Sequence, residues 1–324
     1  MRIAVTGSIA TDHLMMFAGK FTDTLIAEKL DKISVSFLVG DLEIRRGGVA
    51  GNISFGLGCL GLSPLLVGSV GQDFAEYAAW LTEHGVDTSG VRTSATRHTA
   101  RFTATNDETG NQIASFYPGA MSEDGEIDIV ALANANAVDL VVIGAGDPVG
   151  MQRFTADCRA AGLKFAADFS QQVAFLDGDS MRTLIEGAAY LFCNEYEEAV
   201  IEQKTGWSSE DILGRVETRV ITLGAAGARV ERKGTEPVVV GPVKDATMVE
   251  PTGSGDAFRS GFLAATSWGL PTENAIQLGN LMAVHCLEVV GPQEYDLTPA
   301  TLADRAKHAY GEEAAAAIAA HLPA

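Results

Sequence analysis

A glycine-rich turn leads into a helical pattern at residues 250–258, Glu250-Pro251-Thr252-Gly253-Ser254-Gly255-Asp256-Ala257-Phe258. Apolar residues continue this pattern at helical spacing, at Phe258, Phe262, Ala265 and Trp268. The first backbone N–H groups of a helix have no acceptor within the helix, and small residues allow an anion to come close to them. The stretch therefore predicts a helix whose N-terminus can hold an anion such as a transferring phosphoryl group.

Asp256 stands at the start of this predicted helix, beside the place of that anion. A carboxylate there could accept the proton of an attacking hydroxyl group. Asp is also a common N-cap residue, so the pattern by itself favours neither role. Because the stretch does not match G-x-x-x-x-G-K-[ST], it is not the usual phosphate loop of NTPases.

Short apolar runs precede this stretch and alternate with helical patterns. The predicted strands are Ile3–Thr6, Leu65–Gly68, Leu140–Gly144, Phe165–Asp168, Tyr190–Cys193 and Val220–Leu223. The predicted helices include Asp73–His84, Pro148–Ala161 and Glu195–Lys204. Continuous apolar runs are typical of strands covered on both faces, so we expect a doubly wound α/β fold with a parallel sheet. In such folds ligands bind at the carboxyl ends of the strands.

Two segments interrupt the alternation. Residues 10–46 contain a predicted strand, Ile33–Val39, and no long helix, whereas residues 99–117 have the pattern of a β-hairpin. The two segments could form one small sheet, and their spacing alone does not distinguish a lid from a decoration of the domain edge. Taken as a lid, they predict a small domain of residues 10–46 and 99–117 and a large domain of residues 1–9, 47–98 and 118–324.

Composition limits the classes of function. The 324 residues carry 23 Lys and Arg against 42 Asp and Glu, a formal charge of −19. This charge speaks against nucleic acid or an anionic membrane as partner, and an anionic ligand would need a locally positive site. Residues 1–5 run into a strand-like pattern without the regions typical of a signal peptide, so secretion is not expected. No apolar run is long enough to span a bilayer, and the four cysteines have neither metal-ligand nor redox spacing. We therefore expect a cytoplasmic protein with reduced cysteines.

Four motifs follow one another along the chain. The first is Arg46-Gly47-Gly48-Val49-Ala50-Gly51-Asn52, in which the glycines let backbone approach a ligand and Asn52 offers a donor and an acceptor. Asn194-Glu195-Tyr196-Glu197 and Thr222-Leu223-Gly224-Ala225-Ala226-Gly227 come next, and residues 250–258 come last. In this order they resemble the motifs of the ribokinase-like (PfkB) family of carbohydrate and nucleoside kinases. The resemblance covers nearly the whole chain and implies a ribokinase-like fold, with a mostly parallel sheet, helices on both faces and a small β-sheet lid.

The resemblance also implies transfer of the γ-phosphoryl group of ATP to a primary hydroxyl, with Mg²⁺ as cofactor. The transfer site it implies is a backbone anion hole with a general base, formed by Gly253, Ser254, Gly255 and, as the base, Asp256. The ATP side it implies consists of Asn194, Thr222, Gly224 and Gly227, with Glu197 holding Mg²⁺ through water. If the resemblance is set aside, the same spacing is equally typical of a helix N-terminus, with Asn194 as the N-cap and Glu197 as the third helical residue. Some members also use a monovalent cation such as K⁺, which the sequence leaves open.

One position departs from the family pattern, because Glu250 stands where members usually have Asp. An acid is kept there, so a supporting role in cation or water binding is only mildly affected. Arg46 is the best-placed side-chain cation for the expected anion, and it could equally be a surface ion-pair partner.

Residues near the first strand and in the hairpin indicate which molecule accepts the phosphoryl group. The family resemblance implies that Asp12 accepts O–H bonds from two vicinal hydroxyls of a ribose or furanose, whereas by itself Asp12 could be a turn residue. Phe102 and Phe116 could sandwich a flat base, or they could pack the small sheet or a dimer contact. Residues 6–14, 34–39 and 114–122, together with the pair Gln171-Gln172, resemble bacterial adenosine kinases of the family. This resemblance implies a set of adenosine contacts: Ser8, Asp12, Ser36, Gly48, Asn52, Phe102, Phe116, Gln171 and Gln172.

The leading hypothesis is an adenosine kinase of purine salvage that converts adenosine and ATP into AMP and ADP. A ribokinase or another sugar kinase of the family is the alternative within the enzymes. A nucleoside-binding protein without catalysis would not need the intact Asp256, and a dehydrogenase would need G-x-G-x-x-G after the first strand, which is absent. Because family members often dimerise through lid strands, a homodimer is expected.

Overall fold

The computed structural model describes residues 1–25, 31–32 and 34–323. Within them, the strands are β1 (Ile3–Thr6), β2 (Ala10–Phe17), β3 (Val39–Gly47), β4 (Leu65–Val70), β5 (Asp87–Thr93), β6 (Ala100–Asp107), β7 (Gln112–Tyr117), β8 (Leu140–Ile143), β9 (Phe165–Asp168), β10 (Tyr190–Asn194), β11 (Thr218–Thr222), β12 (Ala228–Glu231) and β13 (Val238–Val240). The helices are α1 (Phe21–Thr24), α2 (Val49–Cys59), α3 (Ala75–Glu83), α4 (Ile129–Ala135), α5 (Pro148–Ala161), α6 (Gly178–Ile185), α7 (Glu195–Thr205), α8 (Ser209–Leu213), α9 (Ser254–Ser267), α10 (Thr272–Leu287), α11 (Pro299–Tyr310) and α12 (Glu312–Ala319).

A nine-stranded sheet forms the body of the molecule, in the order β13-β12-β11-β10-β9-β8-β1-β4-β5. Its strands from β11 to β5 run parallel, and β12 and β13 add an antiparallel edge. All six strands predicted from the apolar runs lie in it, with end residues that differ by at most two positions. The predicted α/β fold with a mostly parallel sheet is therefore confirmed.

Helices cover both faces of this sheet because successive side chains of a strand point to opposite faces. Ile3 and Val5 of β1 pack into one core with residues of α2, α9 and α10, such as Phe262. Ala4, between them, packs into a second core with residues of α4 to α7, such as Phe154. The two separate cores explain why the strands are continuous apolar runs rather than alternating ones.

The strand order reverses at β1, which pairs with β8 on one side and with β4 on the other. Open α/β sheets bind ligands at such a switch point, in the crevice beyond the carboxyl ends of the strands. The residues that follow β1 lead into the small sheet, and residues of this sheet line a cavity together with the segments that follow β8 and β9.

The small sheet, called the lid sheet below, has the strand order β3-β2-β6-β7. Strands β2 and β6 run parallel, whereas β2–β3 and β6–β7 are antiparallel pairs. The two predicted β segments thus join in one sheet, and the predicted hairpin is the β6–β7 pair. The domain boundaries given above remain a prediction.

The predicted strand Ile33–Val39 is wrong in the part that the structure describes. Residues 34–38 form no strand, Val39 is the first residue of β3, and Ile33 lies outside the described residues. The reason is the register, since Val39 already pairs with Phe17, the last residue of β2. Residues before Val39 therefore have no partner strand, and Leu38 is 90% exposed.

Among the described residues, no helix is both long and apolar enough to cross a membrane. Cys158, Cys193 and Cys286 are buried, Cys59 is half-buried, and all four are free thiols.

Candidate active site

Three cavities follow one another along the crevice beyond the carboxyl ends of the strands of the large sheet. The first, called the lid cavity, has a volume of about 820 Å³ and lies against the lid sheet. The second, the central cavity, measures about 720 Å³ and shares five lining residues with the first: Asp12, Gly48, Gln171, Thr252 and Pro292. The third, the outer cavity, measures about 550 Å³ and shares Thr222, Gly224, Ser254 and Gly255 with the second. A long ligand, or two ligands in contact, can therefore occupy this crevice.

One row of side chains crosses the lid sheet and faces the lid cavity. Cross-strand pairing aligns Arg45 of β3, Asp12 of β2, Phe102 of β6 and Phe116 of β7. All four line the lid cavity. Residues aligned across a sheet share a face, so the row combines a charged half with an aromatic half. Such a wall can hold a hydroxylated ring beside a flat apolar ring.

Asp12 is the acidic member of that row. Burial raises the pKa of Asp12 to about 6, while Arg45 lowers it and Glu250 raises it. Gly47 leaves room for the Asp12 carboxylate, because a Cβ atom on Gly47 would lie 3.2 Å from Asp12 Oδ2. Asp12 thus carries a carboxylate that loses its charge in mildly acidic solution.

Ser8 and Gly48 bring backbone to the junction of the lid and central cavities. The Oγ of Ser8 accepts a hydrogen bond from the Val49 N–H at 2.9 Å, and the Ser8 carbonyl accepts one from Ala50 at 3.0 Å. Gly48 has a φ of +89°, and a Cβ atom on it would lie 2.4 Å from the Ser8 oxygen. A glycine is therefore required at this position.

The lid cavity is closed on its far side by the segment after β9. Gln172 donates from Nε2 to the Gly146 carbonyl at 2.7 Å, and both Gln171 and Gln172 line the cavity. Gln171 is exposed and reaches the central cavity as well. Two amide side chains are thus available to a ligand in the lid cavity.

The N-terminus of α9 faces the central cavity. Gly253 is its N-cap residue, with a φ of +79°, and no side chain caps the helix. Ser254 donates its N–H to the Pro251 carbonyl at 3.2 Å. Within the described part of the chain, the N–H groups of Gly255 and Asp256 have no hydrogen-bond acceptor. Two oriented donors at a helix N-terminus form an anion-binding site.

Asp256 lies in the first turn of α9 and is not its N-cap, so the alternative reading of this residue is wrong. Its side chain is 8% exposed and lines the central cavity. Burial raises the pKa of Asp256 to about 7, while Arg259 and a hydrogen bond from Asn52 lower it. A carboxylate with a pKa near neutrality, beside two free N–H groups, is suited to remove a proton from a ligand hydroxyl.

Arg259 supplies a positive charge directly beneath these donors. Its Nε lies 2.5 Å from Oδ2 of Asp168, which is fully buried at the end of β9. A Cβ atom on Gly255 would lie 2.7 Å from Nη1 of Arg259, so the guanidinium packs against the backbone of the anion site. Burial lowers the pKa of Arg259, whereas the neighbouring Asp168, Asp256 and Glu197 raise it, and the net result is a pKa above the usual value for arginine.

Asn194 and Glu197 form a capping box at the start of α7, and both line the central cavity. Asn194 Oδ1 accepts the Glu197 N–H at 2.8 Å, and Glu197 Oε2 accepts the Asn194 N–H at 2.9 Å. The reading as a helix cap is therefore confirmed. The capping bond engages Oε2 of Glu197, and the other carboxylate oxygen is left to interact with a hydrated cation. Among the described residues, no group of three or more His, Cys, Asp or Glu side chains could hold a metal ion directly.

The outer cavity is bounded by the loop after β11. Thr222 and Gly224 line both the central and the outer cavity, and Gly227 lines the outer one. Gly227 has a φ of +94°, and a Cβ atom there would lie 2.1 Å from the Val240 carbonyl oxygen. Apolar side chains that include Val243, Phe258 and Leu287 form the opposite wall. This combination suits a flat ring whose anionic chain extends towards α9.

Two residues that the sequence predicts for the site lie away from these cavities. Ser36 is exposed in the segment before β3 and lines none of the three, so its contact with the acceptor remains a prediction. Arg46 is not the cation of the site. It pairs with Glu294 at 3.4 Å and stacks over Trp80 at 4.2 Å. Because neighbouring residues of a strand point to opposite faces, Arg45 faces the lid cavity and Arg46 faces away from it.

Sequence reasoning missed several polar residues of the site. Arg45 and Arg259 are its cations, Asp168 pairs with Arg259, and Gln293 donates to Asn52 at 2.9 Å. Arg259 could have been found from its position one helical turn after Asp256. Gln293 gave no local signal, because it reaches the site from the loop after α10.

The comparisons with known proteins agree with this geometry. A family profile described as pfkB family carbohydrate kinase matches residues 9–299. A nucleoside kinase of Methanocaldococcus jannaschii is 27% identical over 271 residues, which are 82% of this chain and 87% of that protein.

Solved structures of a nucleoside kinase from Burkholderia thailandensis are also similar. Its ligand-free form is 32% identical with a TM-score of 0.85, over 94% of this chain and 99% of that one. Its form in complex with ADP and inosine is 32% identical with a TM-score of 0.78, over 96% of each chain. With the match of the family profile over most of its length, the chain belongs to the pfkB family of carbohydrate kinases.

Proposed function

We propose that this protein transfers the γ-phosphoryl group of ATP to the 5′-hydroxyl group of a nucleoside, with adenosine as the acceptor and AMP and ADP as products. The observation that carries the proposal is the position of Asp256 and the free N–H groups of α9 between two other cavities. A donor nucleotide in the outer cavity and an acceptor in the lid cavity would meet at this point.

The lid cavity supports a nucleoside rather than a free sugar. Asp12 suits the two hydroxyls of a ribose ring, and Phe102 and Phe116 continue the same row with aromatic surface. A volume of about 820 Å³ exceeds what a single furanose ring would fill. The relatives from M. jannaschii and B. thailandensis are both named nucleoside kinases, and the latter has been solved with inosine.

The central and outer cavities support ATP as the donor. The apolar wall of the outer cavity suits a base, and Gly224 and Gly227 have positive φ angles that let backbone come close to a phosphate chain. When bound, Mg²⁺ would neutralise part of the triphosphate charge. Glu197 would hold the hydrated ion, with Asn194 keeping the Glu197 backbone in place.

The protein contributes positioning and electrostatics to such a transfer. The Asp256 carboxylate accepts the proton of the 5′-hydroxyl as its oxygen attacks phosphorus. The N–H groups of Gly255 and Asp256, with Arg259 beneath them, stabilise the negative charge of the transferring group. The lid sheet excludes water from the site, which favours transfer to the nucleoside over hydrolysis.

An ADP-release assay with adenosine, inosine, guanosine, cytidine, ribose and fructose tests the proposal. We expect the highest kcat/KM with adenosine, and a preference for ribose over adenosine would contradict the proposal. A ribokinase or another sugar kinase of the family would give that second result. If adenosine stabilises the protein in a thermal-shift assay but no ADP forms with ATP and Mg²⁺, the protein binds nucleosides without catalysis.

Variants of the two aromatic residues of the lid cavity, Phe102 and Phe116, distinguish recognition of the base from recognition of the sugar. Phe102→Leu and Phe116→Leu should raise KM for adenosine by about tenfold and leave KM for ribose unchanged, because stacking on a base is lost. Tyr117→Leu is the matched control, since Tyr117 is the neighbour of Phe116 on β7 and points to the opposite face. Equal effects on adenosine and ribose would show that the aromatic pair only packs the sheet.

A further inference from the structure

A chain of four buried polar groups ends at Asp256. Tyr77 Oη donates to the Gly47 carbonyl at 2.9 Å, and Gln293 Nε2 donates to Tyr77 Oη at 2.5 Å. The same Nε2 donates to Asn52 Oδ1 at 2.9 Å, and Asn52 Nδ2 donates to Asp256 Oδ2 at 2.8 Å. Side chains from α3, the loop after α10, α2 and α9 thus meet in one network.

The direction of every hydrogen bond in this chain follows from its first member. A backbone carbonyl can only accept, so Tyr77 has to donate its single proton to Gly47. The Tyr77 oxygen then accepts, so the nitrogen of the Gln293 amide faces it and also faces Asn52 Oδ1. The nitrogen of the Asn52 amide is therefore left to face Asp256.

We propose that Tyr77 and Gln293 are positioning residues that hold the Asn52 amide in the one orientation in which it donates to the Asp256 carboxylate. Without them the amide could rotate by half a turn and present its oxygen to the carboxylate, which would repel it. The inference rests on the proposed function only in so far as Asp256 is the base.

Burial makes the network rigid. Tyr77 is 4% exposed, Asn52 is 6% exposed and Gln293 is 1% exposed, so water does not replace a lost partner at low cost. Gly51 leaves room for the Tyr77 hydroxyl group, because a Cβ atom on Gly51 would lie 2.2 Å from Tyr77 Oη. The network also begins at Gly47, the last residue of β3, and so connects the end of the lid sheet with the base.

The other charged and titratable groups around Asp256 are not members of this network. They are Arg259 on the same helix and, from other elements, Asp168, Glu197, Cys286 and Tyr295. A hydrogen bond from Asn52 favours the charged form of Asp256, whereas burial favours the neutral form. Loss of the Asn52 donor should therefore raise the pKa of Asp256 further.

The test uses Tyr77→Phe and Gln293→Met, which remove the polar atoms and keep most of the side-chain volume. The matched control is Gln277→Met, because Gln277 is a buried glutamine of α10 outside the network. The pKa of Asp256 is measured by ¹³C NMR in protein labelled at the aspartate carboxyl carbon, with its signal assigned through Asp256→Asn. We expect a pKa higher by about 1 in both variants and no change in the control.

Kinetics provide a second readout. The acid limb of the kcat–pH profile should move with the pKa of Asp256, so that kcat near neutral pH falls about fivefold while KM for ATP stays unchanged. An unchanged pKa in folded Tyr77→Phe and Gln293→Met would overturn the proposal. The two proposals fail separately, because a shifted pKa in a protein that phosphorylates no nucleoside would refute the proposed function and leave the positioning roles standing.

Discussion

Asp256 experiences two opposing effects. Burial raises its pKa to about 7, and Arg259 and the Asn52 amide favour the charged form. The result is a carboxyl group whose charged and neutral forms are both populated near neutral pH, which suits the general base proposed above. The same environment would not be needed for a helix cap, which works best as an exposed, fully charged carboxylate.

Asp256→Asn should lower kcat by about 10²–10⁴-fold, because the amide cannot accept the proton of the hydroxyl group. The fold and the affinity for nucleoside should be retained, since an asparagine can still accept the hydrogen bond from Asn52. Steady-state kinetics and calorimetric titration measure the two quantities. Asp157→Asn, on the surface of α5, is the control. Near-normal turnover in the folded variant would show that Asp256 is not the base.

Asp12 should make nucleoside binding sensitive to pH. Its pKa is raised to about 6 by burial, so it loses its charge as the pH falls through that value. A protonated carboxyl accepts hydroxyl hydrogen bonds less well, and the Kd for adenosine should rise about tenfold for each pH unit below about pH 6. Calorimetric titration across this range measures the effect. Asp12→Asn should bind weakly at every pH, and a variant that keeps the slope would assign the titration to another group.

Arg45 of β3 connects the lid sheet to the segment that precedes α9. Its Nη1 lies 2.9 Å from Oε2 of Glu250, and the same oxygen accepts the Gly291 N–H at 3.0 Å. Glu250 directly precedes the turn before α9, so the ion pair holds that turn against the lid. The longer Glu side chain, which departs from the family's usual Asp, is engaged with this arginine.

The Arg45–Glu250 pair should show energetic coupling in nucleoside phosphorylation. Arg45→Met and Glu250→Gln should each lower kcat/KM for adenosine about tenfold, and the double variant should lose little more, because either change already breaks the pair. A double-mutant cycle on kcat/KM measures the coupling. Arg92→Met, which breaks an ion pair with Glu123 away from the cavities, is the control. Additive losses would show that the two residues act independently.

The formal charge of −19 does not by itself exclude an anionic donor, although Asp12, Glu195, Glu197 and Asp256 line the central cavity beside Arg259. At the centre of the crevice, the N-terminus of α9 offers two free N–H groups and Arg259 lies beneath them. Partial charges of a helix N-terminus act over a short distance, which is where the transferring group would lie. The negative residues distributed over the surface favour solubility and do not determine what binds in the crevice.

The buried acids should make the protein more stable in mildly acidic than in alkaline solution. Burial raises the pKa values of Asp124 and Asp256 to about 7, so above the usual pKa of Asp the folded state holds protons that the unfolded chain has released. The free energy of unfolding therefore falls as the pH rises from about 5 to about 8. Thermal unfolding across this range measures it. Asp256→Asn should raise Tm by about 2–4 °C near pH 8 and by clearly less near pH 5, and an equal change at both would contradict the assignment.

The sequence by itself determined the parts of this protein that depend on local pattern. Continuous apolar runs predicted the parallel sheet, and the turn at Gly253–Asp256 predicted an anion-binding helix N-terminus, because both follow from neighbours along the chain. Only the tertiary structure decided which arginines, and which amide from a distant loop, belong to the site. Arg45 rather than Arg46 faces the cavity because of the register between β2 and β3, and Gln293 reaches Asn52 from a distant loop. Such contacts join residues far apart in the sequence, so no local pattern contains them.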